Sequence, residues 1–173
     1  TVVTSLSALG AEVVEVSVPS TSEALAAYYA ISSYECVAAL APYASGLGPE
    51  ALRRYRMGTH LHHEPHGAGI GWAVGVARAL RAEVDAAFVR CTLLASPTMP
   101  VTAPRLDLGV DDPMSAPRTD CWTVVANLTG IPALSLPAGD CPDTDMPVGV
   151  QLMAPTGMDA RLYRVAAAVE TVS

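Results

Sequence analysis

Asp120-Cys121-Trp122-Thr123-Val124-Val125-Ala126-Asn127-Leu128-Thr129-Gly130-Ile131-Pro132-Ala133-Leu134-Ser135-Leu136-Pro137 is the stretch that decides the fold of this chain. Asp120 stands before an apolar run, where its carboxylate can accept the free N–H groups of a first helical turn, so Asp120 to Asn127 is expected to be a helix. Gly130 follows where a left-handed residue ends a helix at least steric cost. Ala133 to Leu136 is then a short apolar run that suits a buried strand. A polar turn region, Gly139 to Pro147, leads to a second such run, Val148 to Leu152. A closing helix is expected from about Asp159 to Val169, with Leu162, Val165, Ala166 and Val169 on one face.

Upstream, the same exchange of helices and short apolar strands continues. Val3, Leu6 and Leu9 have helical spacing and Gly10 follows them, so Thr1 to Leu9 is expected to be a helix end. Val13, Val14, Val16 and Val18 form a β-branched run stopped by Pro19, which predicts a strand. Ser20, Thr21 and Ser22 before Glu23 offer a helix N-cap to an apolar run from Ala24 to Leu40, with Pro42 and the Gly46 to Pro49 stretch ending it. Pro49 opens a further helix to about Leu61, with Glu50 near its positive end. Pro65, Gly67, Gly69 and Gly71 interrupt the chain before Trp72. From there Val76, Leu80, Val84 and Phe88 recur every four residues, which predicts an amphipathic helix with Arg78, Arg81 and Glu83 toward solvent. Thr92 to Ala95 is expected to be a strand ended by Ser96-Pro97. The loop from Pro97 to Pro117, with five prolines and three aspartates, is longer than connections in compact domains usually are, and such loops are often functional. The expectation is an α/β fold, a mixed β-sheet flanked by helices, in one domain over residues 1–173.

The chain has 173 residues, 51% of them hydrophobic, enough for one sizeable core. A net charge of -7 sets up a field that repels phosphate backbones, so direct nucleic-acid binding is not expected. All ten positive residues are arginine, and there is no lysine. Cys36, Cys91, Cys121 and Cys141 are widely spaced, with no CxxC pair, which fits a reduced, cytoplasmic setting. No apolar run approaching the ~20 residues of a bilayer span stands out, and no basic signal region opens the chain, so no membrane association is expected. The start at Thr1, already in a helical pattern, is expected of a fragment or processed product.

The stretch quoted above, together with Asp111-Asp112-Pro113-Met114-Ser115 before it and Met146-Pro147-Val148-Gly149-Val150-Gln151-Leu152-Met153 after it, resembles the C-terminal region of the amidase signature family. Gly10-Ala11-Glu12-Val13-Val14-Glu15-Val16, Tyr28-Tyr29-Ala30-Ile31, Arg53-Arg54 before Met57-Gly58-Thr59, and Ser96-Pro97-Thr98-Met99-Pro100 fall in the same order as in that family. The likeness is greatest to its amidotransferase A subunits and their stand-alone amidase relatives. It implies hydrolysis of an amide by a serine nucleophile, a second serine and a lysine base, with backbone N–H groups stabilising the oxyanion. Those residues belong to the family's N-terminal half. Nothing in this chain matches its Gly-Gly-Ser-Ser-Gly-Gly signature, and a chain without lysine cannot supply the base. No catalytic residue is therefore expected here.

What the resemblance assigns to this part is substrate recognition. An arginine for the substrate carboxylate falls on Arg54, with Arg53 next to it if the register slips, and an aspartate for the amino group falls on Asp120. The residue types suit the task, since Arg offers a planar fork to a carboxylate and Asp a compact acceptor to an ammonium. The plainer alternatives are a solvated surface arginine and an N-cap aspartate. The expected partners are a small-molecule amide, the N-terminal half, and either an amidotransferase partner subunit or a second copy of the chain. No cofactor is called for.

This chain departs from the family between His60 and His66, where His60, His62, His63 and His66 accompany Glu64. Imidazoles with a carboxylate could hold zinc or nickel. Against a metal site, the spacing fits no common zinc signature and Pro65 disrupts helical placement. The stretch between Tyr43 and Gly48 is also shorter than its counterpart in the amidotransferase subunits.

Overall fold

The computed structural model describes residues 2–103 and 121–171. Among these, six helices and three strands follow one another as α1 (Val2–Ala8), α2 (Thr21–Leu40), α3 (Pro49–His63), α4 (Ala68–Arg90), β1 (Leu94–Pro97), α5 (Val124–Thr129), β2 (Ala133–Asp140), β3 (Pro147–Met153) and α6 (Asp159–Glu170). Two 3-10 turns, Ala41–Gly46 and Pro65–Gly67, join α2 to α3 and α3 to α4. The fold is α/β, with helices flanking a small sheet.

The strands lie in the order β1-β3-β2 and both pairings are antiparallel. Met153 faces Leu94 on one side and Ala133 on the other, and Gln151 likewise faces Ser96 and Ser135. Successive strand residues point to opposite faces. Met153 and Leu94 accordingly join Ala24 and Leu25 of α2, Leu80 and Val84 of α4 and Val124 to Ala126 in one core. Leu152 and Leu136 turn the other way, toward Val2 of α1 and Leu162, Ala166 and Val169 of α6. The sheet is thus the middle of three layers. Among the described residues β2 lies at the sheet edge, where the missing N–H of Pro137 costs no ladder bond.

Helix α2 is central to the larger helical layer, packing against α3, α4 and α5. Contrary to the sequence expectation, Thr21–Gly46, with mean hydropathy 1.2, is long and apolar enough to cross a membrane by length and composition. Its Ala24, Leu25, Ala27 and Ala30 are buried against neighbouring helices, although only 22% of its apolar window is buried in all. The approach of α2 to α3 is close at Gly58. A Cβ there would overlap the Ser33 carbonyl oxygen and stand 2.6 Å from Val37 Cγ2.

Several expected elements shift for identifiable reasons. Val13 to Val18 forms no strand, because the run pairs with no ladder; Val16 and Val18 pack on the core while Val13 and Val14 stay exposed. Ser20 does not cap α2 with its side chain. Its N–H and hydroxyl instead donate to the Glu83 carboxylate at 2.9 and 2.7 Å, which takes Glu83 out of the solvent-facing set. Arg81 is also engaged, donating to Asp85 and to the Thr129 carbonyl. Helix α4 starts at Ala68 and absorbs two of the expected interrupters, Gly69 and Gly71, since Glu64 accepts the Gly69 N–H at 2.9 Å and satisfies a first-turn donor. Strand β1 begins at Leu94 rather than Thr92, and α5 begins at Val124. The expected Gly130 stop holds, with φ 65° and its N–H donating to the Ala126 carbonyl at 2.9 Å.

Candidate functional site

Helix α3 places Glu50 in its first turn and Arg53 and Arg54 three and four residues on, so all three side chains meet on one helical face. Arg53 donates Nε and Nη2 to Glu50 at 3.0 and 2.9 Å, and Arg54 donates Nε to the same carboxylate at 2.9 Å. The Arg54 guanidinium carbon lies 4.8 Å from the centre of the Tyr29 ring on α2. Side-chain exposure is 33% for Arg54 against 46% for Arg53. Hydrogen bonding from Arg53, joined by Arg54 and opposed by slight burial, holds the Glu50 carboxyl below its ordinary pKa. Burial works to lower the Arg54 pKa, but its bond to Glu50 and the neighbouring Tyr29 outweigh that and raise it, so the cation is secure. Glu50 thus takes up part of the hydrogen-bonding capacity of both guanidinium groups.

Asp120 lies outside the described residues, as do Asp111 to Ser115. The chain immediately after Asp120 is anchored: Gln151, only 4% exposed at the middle of β3, donates Nε2 to the Trp122 carbonyl at 3.3 Å. Trp122 and Val125 also line an open cleft of about 190 Å³, together with Val16, Val18 and the β1 residues Leu94 to Ser96. Among the described residues, those lining the cleft carry no titratable side chain, so what they contribute is shape. Nearby, Thr98 and Ser135 share a hydroxyl contact of 2.6 Å over Gly149, where a Cβ would stand 2.9 Å from Thr98 Oγ1. The motif pieces from residues 96–100, 133–137 and 147–153 thus converge on β3.

The histidines do not converge. His60 Nε2 lies 3.7 Å from Glu64, whereas His62 stacks on Tyr34 with ring centres 3.8 Å apart and Nε2 3.1 Å from the Tyr34 carbonyl. His63 is exposed, and His66 occupies a left-handed turn at φ 63°. Among the described residues no three His, Cys, Asp or Glu side chains are grouped to hold a metal ion, so the metal alternative at His60, His62, His63 and His66 is not carried further. All four cysteines are unpaired. Burial pushes the Cys91 thiol up, while a bond with the Thr144 hydroxyl and another with the Asp143 backbone bring Cys141 down.

Three residues beside the site are not assigned to it by the sequence. Glu50 has a signal, since its spacing to Arg53 and Arg54 is that of helical ion pairs. Tyr29 carries no such signal, because its contact with Arg54 arises only where α2 crosses α3. Gln151 is visible as part of a motif, but its bond to Trp122 spans 29 residues.

Comparison with known proteins follows the same path. The amidase family model matches residues 1–163. The A subunit of the glutamyl-tRNA(Gln) amidotransferase of Thermobifida fusca is 40% identical over 188 aligned positions, covering 94% of this chain and 38% of the relative. Its counterpart in Paenarthrobacter aurescens is 39% identical over 190 positions, covering 94% and 36%. Among solved structures, the A subunit of the glutamyl-tRNA(Gln) amidotransferase from Thermotoga maritima matches with a TM-score of 0.76 at 30% identity, over 99% of this chain and 37% of that one. A crystal structure of an amidase matches with a TM-score of 0.75 at 26% identity, over 97% and 39%. The chain therefore spans a little over a third of the length of these relatives.

Proposed function

This chain belongs to the amidase family, and we propose that the protein of which it is part hydrolyses the carbon–nitrogen bond of an amide, with these residues forming one wall of the substrate pocket. The observation that carries the proposal is the family match over residues 1–163 in a chain that has no lysine. The nucleophile and its base then belong to the remaining two thirds of the enzyme, and residues 1–173 make one unit of it. Arg54 binds the substrate carboxylate and Asp120 its amino group. Arg53 serves less well, because Glu50 already takes it in a bidentate pair. The reaction needs no cofactor, and the four unpaired cysteines support a reduced, cytoplasmic setting.

The test is direct. The isolated chain is expected to hydrolyse neither glutamine nor simple amides, whereas the full-length protein does so and loses activity to a serine-directed inhibitor. Inhibitor-sensitive turnover by the isolated chain would overturn the proposal.

The 40% identity to an amidotransferase component favours a second form of the same reading, in which the full-length protein is itself such a component. Residues 1–173 would then also act as scaffold for a partner subunit. Co-elution of the full-length protein with the other amidotransferase subunits supports this form. Glutamine hydrolysis at full rate by the protein alone, as a monomer or homodimer, favours the stand-alone amidase.

A further inference from the structure

We propose that Tyr29 and Glu50 are positioning residues that hold the Arg54 guanidinium in one orientation and thereby make the pocket selective for amides bearing a free carboxylate. The inference rests on the proposed substrate role of Arg54, which already favours amides bearing a free carboxylate, and adds to it the two residues that position it.

An arginine on a half-exposed helix face samples many rotamers, and a ligand that uses it must first immobilise it. Here two elements have done so in advance. Within the plane of the guanidinium, Glu50 accepts Nε at 2.9 Å. From a second helix, the Tyr29 ring lies 4.8 Å from Cζ, inside the range at which an aromatic face attracts a cation. One restraint acts through a hydrogen bond on α3 and the other through the ring and hydroxyl of Tyr29 on α2, so neither helix alone fixes the group. Glu50 is itself fixed, because Arg53 grips it with Nε and Nη2 at 3.0 and 2.9 Å. This gives Arg53 a task distinct from that of its neighbour: it holds the holder.

Arg54 commits Nε to Glu50, and the fork made by its two terminal nitrogens is the part that matches an incoming carboxylate. A substrate with a carboxylate meets a fork whose ordering cost has already been met. An amide of similar length without one gains nothing from it. The two restraints should therefore act on binding of one substrate class and leave the chemical step alone.

Steady-state kinetics of the full-length protein with glutamine and with butyramide, a neutral amide, separates these roles. Tyr29→Leu and Glu50→Ala are expected to raise KM for glutamine by about three- to tenfold, the scale of re-ordering one long side chain. Neither should change kcat, nor KM for butyramide. Tyr29→Phe, which keeps the ring but not the hydroxyl, should restore part of the loss, and Glu50→Gln, which keeps an acceptor, most of it. Equal increases for both amides, or no rescue by the conservative variants, would mean that the two residues serve only the fold and would overturn the proposal. If Arg54→Ala raises KM for glutamine while Tyr29→Leu and Glu50→Ala do not, the substrate role of Arg54 stands and its positioning by these residues is wrong. If Arg54→Ala also leaves it unchanged, the underlying substrate role fails, and the proposal with it.

Discussion

At the scale of single residues, the chemistry of this chain is set by how neighbours restrain charge. Glu50 is a surface carboxylate by position, yet two arginines one turn away keep it ionised to a lower pH than an isolated glutamate. The same reasoning ranks the cysteines. The thiolate is the reactive form, so a thiol whose pKa is lowered reacts at a pH where a raised one stays protonated. Cys141, in the turn between β2 and β3, is lowered by Thr144 and the Asp143 backbone; Cys91, at the end of α4, is raised by burial. Iodoacetamide near neutral pH is expected to label Cys141 well before Cys91, with the gap narrowing as pH rises past both values. Peptide mass mapping of partly alkylated protein checks the order, and faster labelling of Cys91 would refute it.

At the scale of elements, the tightest constraint lies where α2 meets α3. Gly58 is buried with the Ser33 carbonyl oxygen where its Cβ would go, and a backbone atom cannot rotate aside as a side chain can. Gly58→Ala should therefore destabilise the fold by about 1–3 kcal/mol, the usual cost of overpacking, despite the better helix propensity of alanine. Urea unfolding reads this as a lower midpoint, and an unchanged midpoint would show that the helices separate without cost. The change would also shift Tyr29 relative to Arg54, since the two sit on these same helices. Elements are legible in the sequence to the extent that their cause is local. The four-residue recurrence of Val76, Leu80 and Val84 locates α4, and Gly130 locates the end of α5, because periodicity and a left-handed stop are properties of short segments. Val13 to Val18 misleads because β-branching records a preference for extended backbone, whereas a strand needs a neighbour to pair with. The start of α4 is hidden because Glu64, five residues before Gly69, supplies the N-terminal acceptor that the glycine-rich sequence lacks.

At the scale of the molecule, the candidate site is assembled from distant pieces, which is why only half of it is legible in the sequence. Arg54 is visible as a residue type inside a motif; that Tyr29 lies beneath it depends on the crossing of two helices. Large apolar side chains also remain open to solvent, with Val89 87%, Tyr163 67% and Trp72 44% exposed. A surface of this kind is what a partner or the rest of an enzyme would cover. The isolated chain is expected to bind an apolar-surface dye and to self-associate on gel filtration, and a dye-silent monomer would count against it.

The strand order carries one more consequence, for synthesis. In β1-β3-β2 the middle strand is the last to be made, and Leu94 must wait for Met153 before it has a partner. Among the described residues, β1 has no strand beside it until β3 is made, and β2 adds no neighbour to it. Pairing of distant segments is slow, and bare strand edges invite the wrong neighbour in the meantime. A premature stop before Pro147 would therefore remove more than a hairpin arm. It would leave β1 and β2 without the strand that joins them among the described residues, a product expected to aggregate or be degraded rather than a slightly shorter version of the same fold.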